Sequence, residues 1–207
     1  MSRLPALLVL TDRHQARSGL VPTVAAAVAG GAQAVVLREK DLAGEARRCV
    51  AVSLRACLDP VGGALVIAGA DVSLAREVGA SGVHLGADDP WPAAVGDLVV
   101  GRSCHGRDDL ARAADEGAHY ATLSPVFASP SKPGYGPALT SDGLAEMVAS
   151  AALPVYALGG VDAGSAPACI AAGAAGVAVM GAVMASEDPA GAAEALVLSL
   201  AAGSCLR

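Results

Sequence analysis

The chain has 207 residues, 54% of them hydrophobic, which is ample for a large core and excludes a disordered protein. A net charge of −6 argues against a general nucleic-acid surface, which needs clustered Lys and Arg, but leaves room for a single basic pocket. Five cysteines (Cys49, Cys57, Cys104, Cys169 and Cys205) are odd in number and contain no C-x-x-C pair, so they signal neither a disulfide framework nor a zinc site and point to a reducing cytosol.

The apolar run before Asp12 is too brief for a secretory signal and has no small-residue cleavage site, and Cys205 lies third from the end, where prenylation needs it fourth. The expectation is a cytoplasmic protein. In chain order, apolar runs occur at LLVLT (7–11), GAQAVVL (31–37), ALVIA (64–68), GASGVHL (79–85), LVVGR (98–102), GAHYATL (117–123), PVYAL (154–158) and GAAGVAV (173–179). Four of these runs open on Gly-Ala, each preceded by a helical pattern: TVAAAVAG, SLAREV, DLARAADE and APACIAA. A glycine just past a helix is a left-handed stop, and the small alanine lets the next strand begin against that helix. Residues 163–186 carry no formal charge and have the length of a membrane span, but Pro167 and the repeat divide them into a helix and a strand.

Eight short, near-continuous apolar strands alternating with helices require a parallel sheet covered on both faces. The fold class predicted is α/β, a single (βα)8 TIM barrel spanning residues 1–207, near the lower size limit of about 200 residues for such barrels. An open doubly wound sheet is the alternative, although no G-x-G-x-x-G follows the first strand. In a barrel the chemistry sits at the strand C-terminal ends, here Thr11 and Asp12, Arg38 to Lys40, Gly69 and Asp71, His84 with Asp88 and Asp89, Arg102 to His105, Ser124 onward, Gly159-Gly160, and Met180-Gly181.

The stretch 122–136, TLSPVFASPSKPGYG, is a loop shaped by three prolines, and it holds Lys132, one of only two lysines beside Lys40. Glycines at Gly159-Gly160 and Met180-Gly181 let backbone N–H groups approach an anion at the usual barrel phosphate position. Ser129 and Ser131 can add hydrogen bonds, with Lys132 as a mobile point charge. Arg38 and Lys40 are two apart on one strand and share a face, suited to a carboxylate or phosphate, whereas Glu39 faces the helices. By the same alternation Ser103 and His105 point one way, and Cys104 the other, which discounts the cysteine as a nucleophile.

The stretches LTD (10–12), LREKD (37–41), GVHLGADD (82–89), GRSCH (101–105), SPVFASPSKPG (124–134), ALGGV (157–161) and GVAVMGAV (176–183) resemble, in order and across the whole length, the thiamin phosphate synthase and TenI family. The resemblance implies a (βα)8 barrel, commonly a homodimer, that binds a small-molecule thiazole phosphate on the way to thiamin phosphate, with neither nucleic acid nor membrane as a partner. The synthase branch joins a pyrimidine diphosphate to the thiazole phosphate and expels pyrophosphate with magnesium. Its strand-two Gln is replaced here by Val36, and its strand-three Asn-Asp, whose Asp binds the metal, by Ala68-Gly69 or Gly69-Ala70. Its second metal ligand falls on Asp89.

These departures point to the TenI-like branch, which resembles a thiazole tautomerase needing no metal or other cofactor. The synthase, with Mg2+ at Asp89, is the alternative, and a non-catalytic regulatory paralogue binding thiazole or thiamin phosphate is a third. Proton transfer needs a group titrating near neutrality, which makes His105 the candidate acid/base, aided by Arg38 and Lys40. His84, inside a strand, is expected to be structural, and His119 exposed.

Overall fold

The computed structural model of the chain describes residues 4–42, 44–128 and 138–204. The Gly-Ala repeat is explained by four identical helix ends. Gly31, Gly79, Gly117 and Gly173 have φ of 98°, 63°, 87° and 97°, the left-handed region that a side chain disfavours. Each following alanine donates its N–H to the carbonyl five residues back: Ala32 to Ala27, Ala80 to Ala75, Ala118 to Ala113 and Ala174 to Cys169, at 2.8–3.1 Å. With the glycine N–H bonded three residues back, this is a Schellman closure that satisfies the last carbonyls and delivers the chain straight into the next strand.

The strands so launched are β1 (Leu7–Leu10), β2 (Ala34–Leu37), β3 (Ala64–Ala68), β4 (Gly82–Leu85), β5 (Val99–Cys104), β6 (Tyr120–Leu123), β7 (Val155–Leu158) and β8 (Gly176–Val179). They form a closed barrel in sequence order, every pair parallel, and β8 closes on β1 through Leu8 and Ala178. The helices outside are α1 (Leu20–Ala29), α2 (Gly44–Leu58), α3 (Val72–Glu77), α4 (Arg107–Asp115), α5 (Thr140–Ser150), α6 (Ala166–Ala171), α7 (Gly181–Met184) and α8 (Pro189–Ser204). The predicted eightfold barrel is the fold, and the open sheet is excluded by the β8–β1 pairing. The uncharged segment at 163–186 divides into α6, β8 and α7, and among the described residues no helix is long and apolar enough to cross a membrane.

One crossover departs from strict alternation. Between β4 and β5 there is no helix, because Pro90 and Pro92 remove donors on either side of Trp91. Trp91, Val95 and Leu98 cover the outer core there instead.

Strand residues alternate between two shells. The outer shell packs against the helices, and includes Val9, Val35, Leu37, Leu65, Ile67, Leu85, Leu123 and Val177. The inner shell is smaller: Leu8, Leu10, Ala34, Val36, Val66, Ala68, Ala178 and the rings of Tyr120 and Tyr156. Those rings need space from neighbouring strands. A Cβ on Gly101 would lie 2.2 Å from Tyr120 Cζ and 2.5 Å from His84 Nδ1, so glycine is required on β5 for the two rings to lie side by side. Tyr156 closes the opposite end of the barrel by donating its hydroxyl to the Leu4 carbonyl at 3.0 Å.

Candidate functional site

The C-terminal mouth gathers its polar side chains from both halves of the barrel. On the β8–β1–β2 side, Arg38 is exposed at the end of β2; its backbone N–H is fixed on Thr11 Oγ1 at 2.8 Å, and its Nη1 reaches the Met180 thioether at 3.4 Å. A sulfur is a weak acceptor, so the guanidinium keeps most of its donor capacity for a ligand. Glu39 faces outward as expected and is buried, accepting from the Arg13 N–H and Nη1 at 3.0 and 3.1 Å. Arg13 also holds Asp41, and this pairing keeps the Asp41 carboxyl well below the usual carboxylate range. These pairs lock the β1 and β2 loops together beneath Arg38.

Met180 precedes α7, whose first backbone N–H groups have no acceptor within so short a helix. Gly181 sits beside Gln15 Oε1, which would be 3.2 Å from a Cβ there, and Gln15 is anchored through Nε2 to Asp12 at 2.8 Å. Gly159 and Gly160 have φ of 93° and 64°. A Cβ at Gly160 would lie 2.5 Å from the Ala128 carbonyl, so the loop stem after β6 excludes any side chain. That stem is stitched to β7 by Val126 N–H to the Leu158 carbonyl and Phe127 N–H to the Gly159 carbonyl, both 2.9 Å. Gly160 is therefore required by packing as well as suited to a phosphate. Ser129, Ser131 and Lys132 lie outside the described residues.

On the β4–β5–β6 side, Lys40 reaches across to Asp89 at 3.2 Å, and Asp89 also accepts the Gly86 N–H at 2.7 Å. The Gly86 bond, then Lys40, lower the Asp89 pKa, so it stands as an anion paired with a cation. Half-buried Ser103 points inward from β5. His105, exposed one residue beyond β5, meets the Ser124 carbonyl through Nδ1 at 2.9 Å. Since a carbonyl only accepts, Nδ1 carries the proton and neutral His105 has its lone pair on Nε2, the form a general base requires. Cys104 points away into the outer core, where burial pushes its thiol up to about 12 and leaves it inert, as the alternation implied.

Several residues stand apart from their sequence reading. Arg102, expected at the mouth, lies within β5 and faces outward, 1% exposed. Its Nη1 donates to the carbonyls of Gly86, Ala87 and Asp89, each at 3.0 Å, and its Nε lies 2.8 Å from Glu116. It holds the loop that carries Asp89. Asp71 caps α3 by accepting the Leu74 N–H at 3.0 Å and pairs with Arg47, so it does not turn into the mouth. Arg47, which the sequence reading missed, reaches from α2 to the Ala68 carbonyl at the end of β3. His119 is half-buried rather than exposed, because its Nδ1 accepts the Val100 N–H at 3.0 Å and extends the β5 ladder.

His84 is the interior histidine. Its Nδ1 lies 3.0 Å from the Tyr120 hydroxyl, and its Nε2 lies 3.1 Å from Ser103 Oγ and 3.3 Å from Thr122 Oγ1. Burial, aided by Lys40 and Arg102 and opposed by Asp89, pushes it down to about 4, so it is neutral at pH 7.

A magnesium ion, which the synthase branch implies, has one carboxylate here. The end of β3 offers none, and among the described residues no group of three or more His, Cys, Asp or Glu converges on a metal position. Magnesium is ordinarily held by one or two carboxylates plus substrate phosphates. Asp89 fits an ion held chiefly by the ligand, not a preformed protein cage. A separate cavity of about 510 Å³ opens at the opposite end, between Gln33, Ser81 and Asp97; it has no basic side chain and does not compete for an anion.

Fold and mouth together define a (βα)8 barrel with a cationic, hydroxyl-bearing mouth at its strand C-terminal ends. Residues 7–183 match the family described as thiamine monophosphate synthase. The chain is 40% identical over 201 residues to a thiamine-phosphate synthase of Chromobacterium violaceum, covering 94% of this chain and 95% of the other. It is 39% identical over 199 residues to one of Methanoculleus marisnigri, with 92% of each covered. The solved thiamine phosphate pyrophosphorylase from Pyrococcus furiosus superposes with a TM-score of 0.83 at 28% identity, covering 95% of this chain and 96% of that one. The chain belongs to the thiamine monophosphate synthase/TenI family.

Proposed function

We propose that this protein is a thiamin phosphate synthase, joining a pyrimidine diphosphate to a thiazole phosphate and releasing pyrophosphate. The observation that carries this reading is whole-length identity near 40% to relatives that bear the synthase name. It reverses the order suggested by Val36 and the missing strand-three carboxylate, which placed the tautomerase first.

The leaving diphosphate develops negative charge, and the mouth opposes it with Arg38 and Lys40. Lys40 is pre-positioned by Asp89, and Arg38 by the Thr11 bond to its backbone. Asp89 is the residue that would hold magnesium, with phosphate oxygens completing its shell, and the ion would supply neutralisation of the departing group. The thiazole phosphate is assigned to the backbone of Gly160, Met180 and Gly181, with Ser129, Ser131 and Lys132 from the loop after β6. Incubating the protein with both substrates and magnesium tests this directly by formation of thiamin phosphate, and Lys40→Ala should lower kcat/KM for the diphosphate substrate more than for the thiazole.

A second reading is favoured by His105. A histidine at the mouth whose Nδ1 is held by the Ser124 carbonyl, in a barrel whose strand-three end lacks a carboxylate, suits metal-independent isomerisation of the thiazole carboxylate phosphate to its aromatic isomer. Under this reading His105→Ala costs roughly 10²- to 10⁴-fold in isomerisation rate. Under the synthase reading it leaves thiamin phosphate formation within a few fold.

A further inference from the structure

Three hydroxyls meet His84 inside the barrel, and they are not equivalent. Tyr120 is 2% exposed and Thr122 is 1% exposed, whereas Ser103 is half-buried and borders the mouth. Among the described residues the Tyr120 hydroxyl has His84 Nδ1, at 3.0 Å, as its hydrogen-bond partner. A phenol is the strongest donor and weakest acceptor of the three hydroxyls. If Nδ1 carried the proton, the phenolic proton would be stranded in a dry interior, a costly arrangement. Burial, which raises the Tyr120 pKa, also keeps that proton on the phenol and available to donate.

We propose that Tyr120 sets His84 in the Nε2–H tautomer, and that His84 thereby fixes the polarity of Ser103. Ser103 Oγ, at 3.1 Å nearer to Nε2–H than Thr122 Oγ1 at 3.3 Å, accepts from it, so its own proton turns to the mouth and is presented to an acceptor atom of the ligand. The atom that suits it is an anionic oxygen, because the Lys40 ammonium, 3.2 Å from Asp89, lies on the same side of the mouth. His84 and Tyr120 are positioning residues, and Gly101, whose Cβ would intrude on both rings, keeps the relay intact. The inference rests on the reading that the mouth takes a phosphorylated ligand, but the tautomer itself does not depend on it.

Two measurements on the full chain test it. Long-range 1H–15N correlation spectra read the histidine tautomers without substrate. Wild type should show His84 as the Nε2–H form at neutral pH, and Tyr120→Phe should lose that preference. In calorimetric titration with inorganic pyrophosphate, Tyr120→Phe should weaken binding roughly 10-fold, the weight of a hydrogen bond to a charged group. The same substitution should have no further effect on a Ser103→Ala background. An Nδ1–H tautomer in wild type would overturn the inference, as would independent, additive losses in the double variant. If wild type does not bind pyrophosphate, the diphosphate reading of the mouth fails separately, and the tautomer spectrum alone decides: Nε2–H upholds the relay, Nδ1–H removes it.

Discussion

Arg102→Ala is expected to be among the most damaging single substitutions outside the hydrophobic core. The guanidinium is 2% exposed in its side chain and binds three carbonyls of the β4–β5 connection through Nη1, while Nε faces Glu116. Removing one partner of a buried ion pair costs about 3–5 kcal/mol. Glu116 is 31% exposed and can recover water, which favours the lower half of that range; the Asp89 carbonyl loses its donor, in a segment with no helix of its own, while Ala87 keeps Arg112 Nη2 at 3.0 Å and Gly86 keeps the Asp89 N–H at 3.3 Å. At roughly 2–4 °C per kcal/mol for a chain of this size, Tm should fall by about 6–16 °C. Denaturant unfolding checks the free energy and calorimetry the midpoint. Arg102→Lys should recover little, since a point charge cannot span the carbonyls and Glu116 together. A loss under 1 kcal/mol in Arg102→Ala would refute the clamp.

Gly101→Ala should destabilise by about 1–3 kcal/mol or more, because its Cβ would overlap Tyr120 and His84, and unfolding curves with the Gly101→Ala, Tyr120→Phe double variant should show no rescue, since the phenyl ring remains. His84 is held near pKa 4 against 6.5 when unfolded, so the unfolded chain binds the proton more readily. Its contribution is fully present above about pH 6.5, falls with decreasing pH, and amounts to about 3 kcal/mol lost by about pH 4, a slope that His84→Gln should flatten in pH-dependent unfolding. Lys132→Ala should weaken thiazole phosphate binding while leaving the fold intact, as read by titration and thermal melting.

The barrel was legible because its punctuation is chemical. The four Gly-Ala pairs fix helix ends through left-handed φ, and continuous apolar runs such as Ala34–Leu37 fit only strands buried on both faces. The helix-free β4–β5 crossover also has a local signature in Pro90 and Pro92, although it was not separated from the general alternation. At the mouth, side-chain alternation placed Arg38, Ser103 and Cys104 correctly. Arg102 was grouped with the mouth by its place near a strand end, although the alternation that turns Cys104 outward turns Arg102 outward too, and its partners are carbonyls carrying no sequence signal. Arg47 and the Tyr120–His84–Ser103 relay join residues from different elements, so only the closed barrel brings them together. His119, just ahead of a strand, was expected to be exposed, and only its backbone partner Val100 reveals its place in the sheet.

The most direct test is a single assay set. The purified protein is incubated with pyrimidine diphosphate and thiazole phosphate, with and without magnesium, and in parallel with thiazole carboxylate phosphate alone. The synthase reading predicts thiamin phosphate and pyrophosphate in equal amounts, magnesium-stimulated and lowered by Asp89→Asn. Isomerised thiazole without any thiamin phosphate would contradict it and make the protein a tautomerase.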